Sequence, residues 1–261
     1  MSKKVVIITI DIITIIVLFI IGLFISPILI IMGLKLPKQQ NNGLCPHCTN
    51  SYSPLNTLPI FPYVINYGKC PYCHNKISIK YPLAELLTGI VFSLSFVIYG
   101  LTYEMITLNL IFSLLIIIYI SDFKYFIIQN KTLIIFTTIS LILKEIYFGT
   151  KTFLLSLLSG LLIFLFVFII KKIGDKLFKV ESLGGGDVKL SFYFGCLLGV
   201  RLGIVAIVIG SFLAFPYALY YAITKVEKEI PFGPFLITAL LVTFIFMQPI
   251  LNFLTTIFTN Y

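Results

Sequence analysis

Asp122 and Asp187 each stand at the edge of a long apolar run, where a carboxylate is costly because nothing in hydrocarbon solvates its charge. Asp187 closes Gly184-Gly185-Gly186-Asp187 and is followed by Lys189, and the glycines allow backbone or substrate to approach closely. Like charges held a few ångströms apart cannot both ionise, so such a pair titrates as a unit. One member ionised to activate water and the other protonated to donate to a carbonyl gives peptide hydrolysis without a covalent intermediate. Two other readings stay open. Asp187 suits an N-terminal helix cap after a glycine turn, and two acids in a membrane suit the ion or proton site of a transporter. The lack of internal repeat symmetry counts against transport.

A second chemistry sits in Cys45-Pro-His-Cys48 and Cys70-Pro-Tyr-Cys73, two C-x-x-C pairs separated by 21 residues. Four thiolates so spaced can close one tetrahedral zinc site, which would hold together a loop too small to bury its own core. Two disulfides or a redox pair are the alternatives, and a cytosolic location argues against the disulfides. With four cysteines available, His47 and His74 are expected beside the metal rather than on it. Four sulfurs leave no position for water, so the zinc is structural, and a zinc-bearing assembly scaffold without catalysis is a further reading. Cys196 is a small packing residue in an apolar run.

The other acids have ordinary explanations. Glu104 and Glu145 are expected in loops on one side, Asp175, Glu181, Glu227 and Glu229 in lysine-containing loops on the other. Glu85 suits the start of a helix. Asp11 lies near a helix end from which it can snorkel to the interface.

The elements that must position these groups are membrane helices. A chain of 261 residues with 59% hydrophobic and 11% charged content makes no water-soluble globule. Its net charge of +9 is scattered over short loops rather than gathered on one face, which argues against nucleic acid as a partner. The run from Val5 to Leu34 would be about 45 Å long as helix against a hydrocarbon core of roughly 30 Å, so it reads as a retained anchor rather than a cleaved signal. Further runs fall at Leu83–Leu101, Met105–Ser121, Thr132–Leu143, Phe153–Ile170, Val188–Val200, Leu202–Ile223 and Phe235–Phe258, making about eight spans in an all-α polytopic protein. The sequence divides into a first span (1–34), a cytosolic zinc-binding insert (35–82) and a membrane-embedded domain (83–261).

Running the first span from outside to inside puts 14 of the 19 basic residues inside. Only Lys3, Lys4, Lys144, Lys151 and Arg201 remain outside, so the positive-inside bias favours this orientation. Asp122 then closes the third span and Asp187 opens the sixth, both on the cytosolic side.

Taken in order, these motifs resemble the type IV prepilin peptidase family of membrane aspartic proteases. Its G-x-G-D-x-K signature is matched by Gly184-Gly185-Gly186-Asp187-Val188-Lys189, and its first aspartate motif by Asp122 to Ile128 and Asn130. Asn56 to Pro59, Gly68-Lys69-Cys70, Tyr81-Pro82-Leu83-Ala84-Glu85-Leu86 and Pro231-Phe232-Gly233-Pro234-Phe235 also look like family segments. Gln129 stands where the family usually has proline, and Ile30 where an asparagine is common.

The resemblance implies that a multi-pass protein of a prokaryotic cytoplasmic membrane removes a short basic leader from prepilins or pseudopilins. Asp122 and Asp187 would be catalytic, with Gly184, Gly186 and Lys189 in support. Cleavage falls on the cytosolic side of a hydrophobic segment in contact with lipid. The same family typically methylates the new N-terminus with S-adenosylmethionine, a second activity that here rests on resemblance alone. Lys189 is read as meeting an acidic group of the substrate or as a positive-inside anchor.

Overall fold

The computed structural model of the chain describes residues 2–34, 60–70, 74–224 and 230–259. In lipid, backbone polar groups must be satisfied within helices or closed barrels. Among the described residues the chain forms eight helices and no strand: α1 (Ser2–Leu34), α2 (Phe61–Ile65), α3 (Lys80–Tyr99), α4 (Tyr103–Tyr125), α5 (Asn130–Phe178), α6 (Gly185–Thr224), α7 (Gly233–Ile245) and α8 (Met247–Thr259). The contacts fall into two compact units, Met1–Ile120 and Ser121–Tyr261.

In the first unit α1 lies along α3. The Ser93 hydroxyl of α3 donates to the Ile15 carbonyl of α1 at 3.1 Å, satisfying in the apolar interface a hydroxyl that lipid could not. Glu85, expected at a helix start, lies in the second turn of α3 and is buried. Its carboxylate accepts the Ile60 N–H, which ties α2 to the membrane helix.

In the second unit α6 packs on both α5 and α7. The 49-residue α5 is interrupted at Gly149 (φ 80°, ψ 172°) and the 40-residue α6 at Gly199 (φ 75°, ψ 177°). Only glycine visits that region readily, so each long helix is two helical segments joined at a glycine. The break at Gly149 falls between the runs Thr132–Leu143 and Phe153–Ile170, and that at Gly199 near the end of Val188–Val200.

Five of these helices are long and apolar enough to cross a membrane: Asp11–Leu34, Lys80–Tyr99, Tyr103–Tyr125, Asn130–Leu177 and Gly185–Tyr221. The pair Gly233–Ile245 and Met247–Thr256 makes a sixth if counted as one. The chain is therefore a multi-pass membrane protein, and apolar side chains such as Leu154, Leu158 and Ile169 lie outward where lipid would cover them. The last pair departs from the single straight span expected at Phe235–Phe258, being bent by 78°. α7 ends at Phe246, and Pro249 lies in the first turn of α8, where its missing N–H has no helical partner to lose.

Lys144 also departs from expectation. Rather than occupying an outside loop, it lies within α5, and its ammonium donates to Ser156 Oγ (2.9 Å) and to the carbonyls of Cys196 (2.7 Å) and Leu197 (2.9 Å). It thereby caps the first half of α6 just before Gly199, where carbonyls lose their helical partners and the helix end favours a cation. Lys144→Met keeps the stem but leaves these acceptors without the ammonium, and is expected to cost about 1–3 kcal/mol. A lower Tm of the detergent-purified protein would show it, and an unchanged Tm would refute the capping role.

Candidate active site

Asp122 lies in the last turn of α4, where the helix end disfavours an anion. The helix stops just beyond it: Phe126 takes a left-handed conformation (φ 55°) and donates its N–H to the Asp122 carbonyl at 2.9 Å. A bulky residue with positive φ is strained, a feature that concentrates at functional sites. The carboxylate is compensated from elsewhere. Asp122 Oδ2 accepts the Gly233 N–H at 3.0 Å, so the acid sits on the N-terminus of α7. A helix N-terminus carries unpaired N–H groups and partial positive charge, and Pro234 next in line has no N–H to compete.

Asp187 is the third residue of α6. Its N–H and that of Val188 both donate to the Gly184 carbonyl, at 3.1 and 3.3 Å. The carboxylate folds back over Gly184: a side-chain carbon there would lie 2.8 Å from Asp187 Oδ2, and the Gly184 backbone amide bonds the acid. This is the acid's half of a capping box, with the acid at the third helical position and a backbone carbonyl in place of the cap side chain that Gly184 lacks. The acid therefore closes the first turn of α6 from its third position rather than from the cap position itself. Both acids are largely buried, with 6% and 8% exposure.

Two further contacts join the stretches that carry these acids. A methyl group at Gly186 would come within 2.9 Å of Ile128 Cβ, so the absence of a side chain at Gly186 lets α6 start against the segment that follows Asp122. Lys189 Nζ donates to Asn130 Oδ1 at 3.0 Å. Gln129, the expected departure from proline, has φ −73° and ψ 116°, a conformation proline itself would adopt. The chain path at this loop is therefore kept without the ring.

Beside Asp187 a cavity of about 570 Å³ runs between α5, α6 and α7. Apart from Asp187, Ser191 and Ser211 its lining is apolar, with Phe166, Ile170, Val208 and Phe212 among its walls. Two buried carboxylates are thus held at helix ends whose flanking segments touch, and Asp187 opens onto an apolar groove. That arrangement can activate water against a peptide whose neighbouring residues are apolar. The role of Gly233 was not readable from its motif, since nothing local marks a backbone amide as the partner of an acid 111 residues away.

The cysteine insert is described only in part, and Cys45, Cys48 and Cys73 lie outside the described residues. Cys70 is fully buried. Its N–H donates to the Asn75 carbonyl and its carbonyl accepts the His74 N–H, each at 2.9 Å, within an antiparallel bridge between Lys69 and Lys76. His74 sits in the left-handed region (φ 53°) and is exposed.

The class that this fold and site define is a multi-pass helical membrane protein with two buried aspartates at helix ends. Residues 20–99 match the bacterial peptidase A24 N-terminal domain, and residues 109–219, which include both aspartates, match the type IV leader peptidase family. The chain is 27% identical over 213 residues to the prepilin leader peptidase/N-methyltransferase of Bacillus subtilis, covering 80% of this chain and 83% of that protein. It is 25% identical over 211 residues to the protein of that name from Vibrio cholerae (78% and 81% covered) and 28% identical over 201 residues to that of Neisseria gonorrhoeae (74% and 67%). No solved structure matches it. The chain belongs to the type IV leader peptidase family.

Proposed function

We propose that the protein is a membrane aspartic endopeptidase that removes the leader of type IV prepilins or pseudopilins and then N-methylates the new N-terminus. The observation that carries the peptidase reading is the burial of Asp122 and Asp187 at helix ends whose flanking segments touch at Ile128 and Gly186, with the Gly233 amide on the first and the Gly184 turn under the second. In the reaction the ionised aspartate takes a proton from water, and the resulting hydroxide attacks the scissile carbonyl carbon. The protonated aspartate gives its proton to the carbonyl oxygen, forming a neutral gem-diol. Collapse of the diol returns a proton through the dyad to the departing amine, so the pair ends as it began. The apolar cavity beside Asp187 suits the hydrophobic segment that follows the cleaved bond.

Methylation enters through the double name of the relatives, and S-adenosylmethionine, which the family resemblance implies, would be the co-substrate it consumes. Counting α5 and α6 as two spans each at Gly149 and Gly199, and the bent α7–α8 pair as one, supports the eight-span topology. The lysine distribution then supports a cytosolic site, in a protein surrounded by lipid and without a nucleic-acid partner. A structural zinc on Cys45, Cys48, Cys70 and Cys73 is supported by the burial of Cys70 beside the Lys69–Lys76 bridge, and thiolates are apt donors for that metal.

Co-expression with a prepilin-like substrate tests the function by product mass. Loss of the leader with one added methyl group supports both activities, loss alone supports the peptidase only, and an intact substrate refutes both. The contact between the two motifs predicts a further result. Gly186→Val is expected to slow cleavage about 100-fold by pushing α6 off Ile128. Ile128→Ala should restore part of that rate in the double variant, and no recovery would place the defect elsewhere.

A further inference from the structure

The six residues from Lys179 to Gly184 must reverse the chain after α5 and deliver the first turn of α6, and nothing in their composition makes that path rigid. Two side chains on the last turns of α5 hold it. The reversal starts at Lys179, left-handed at φ 57°, whose N–H donates to the Asp175 carbonyl at 3.0 Å. Asp175 Oδ1 then accepts the Ser182 N–H at 2.7 Å and lies 2.8 Å from the Ser182 hydroxyl. That hydroxyl also lies 3.2 Å from the Lys171 carbonyl. Lys171 Nζ, one helical turn before Asp175 on the same face, donates to the Leu183 carbonyl and pairs with Glu181. The Lys171 side chain is only 14% exposed whereas that of Glu181 is 72% exposed, so the bond to the Leu183 carbonyl, rather than the ion pair, is the one shielded from water.

The next carbonyl along the chain, that of Gly184, accepts the N–H of Asp187. The clamped residues therefore run directly into the turn that carries the Asp187 carboxylate.

We propose that Lys171 and Asp175 are positioning residues for Asp187, clamping the loop Glu181–Gly184 so that α6 begins in the one phase that turns the acid toward Asp122. This rests on the peptidase reading for its kinetic consequence but not for the clamp itself. The packing of α5 on α6 is supplied further along by Ile163, Val167 and Val188, so loosening the clamp leaves the helices in place. Rate is lost while substrate binding is kept, because misplacement of a catalytic group acts on the chemical step.

The test uses the full chain in detergent or liposomes with a leader-bearing prepilin peptide, comparing Lys171→Met, Lys171→Arg and Asp175→Ala with wild type. Lys171→Met and Asp175→Ala are expected to lower kcat about 10- to 100-fold with KM and Tm unchanged. Lys171→Arg, which keeps a charged donor, should recover most of the rate. The double variant should be little worse than the worse single one, because both side chains hold the same loop. Independently of activity, limited trypsin digestion after the exposed Lys179 should accelerate in Lys171→Met and Asp175→Ala. Wild-type kcat in Lys171→Met, a rise in KM alone, a loss that follows Tm, or unchanged digestion would each overturn the clamp. Wild-type protein that fails to cleave the peptide while the digestion still responds would instead refute the peptidase reading and leave the clamp standing.

Discussion

Asp122→Asn and Asp187→Asn are each expected to abolish leader removal, lowering the rate by about 10²- to 10⁴-fold or more, with the protein still present in the membrane at wild-type amounts. The substitution is close to isosteric. An amide oxygen at position 122 can still accept the Gly233 N–H, and one at 187 can still fold back over Gly184. What is lost is the ability to take up and return a proton, which is the whole of the proposed chemistry. Burial of a neutral amide costs less than burial of a carboxylate, so neither variant has a reason to unfold. Product mass after co-expression with substrate, alongside a Tm of the purified variant, measures both halves of the expectation. Efficient processing by a stable Asp187→Asn protein would sink the dyad. Ion uptake into proteoliposomes that depends on Asp122 in the absence of cleavage would favour a transporter instead.

Replacing Cys45 or Cys70 by serine is expected to bring bound zinc from one equivalent to near none, measured by elemental analysis of the purified chain. A tetrahedral site with three thiolates and a hydroxyl loses both a bond and a charge, and metal binding in so small an insert is itself folding free energy. The segment Lys35 to Tyr81 should become more susceptible to proteolysis. Hydrolysis should fall less than in the aspartate variants, because a closed four-sulfur site offers no coordination position to water or substrate. Equal metal content in Cys70→Ser and wild type would contradict the zinc site. Processing that depends on the cysteines and not on the aspartates would favour the scaffold reading.

Much of the fold was readable before any coordinates, because a membrane helix is recognised from local composition. A run of apolar residues in lipid has helix as its only open-chain solution, and α1, α3 and α4 follow the expected runs closely. The division of α5 near Gly149 lies between two such runs, where Gly149 supplies a φ other residues avoid. The 78° bend between α7 and α8 escaped that reading because Phe235 to Phe258 is uniformly apolar, and hydropathy carries no direction. Lys144 was misplaced for a related reason. A charge beside apolar runs reads as loop unless its partners are known, and the Cys196 and Leu197 carbonyls lie 52 and 53 residues away.

For the site, residue type and spacing singled out Asp122, Asp187 and the four cysteines, since an acid at a membrane edge and a C-x-x-C pair are each costly or reactive wherever they occur, and the family resemblance added Gly184, Gly186 and Lys189. The sequence by itself determined the membrane class, the approximate helices and the chemical groups available. Only the tertiary structure decided that the Gly233 amide meets Asp122, that Ile128 fills the space left at Gly186, and that Lys171 and Asp175 hold the loop before Asp187. The physical reason is range. Helix formation and hydrophobicity are summed over neighbours in the chain, whereas the environment of a buried carboxylate is set by backbone amides and side chains brought to it from distant segments, and those leave no local mark of their partner.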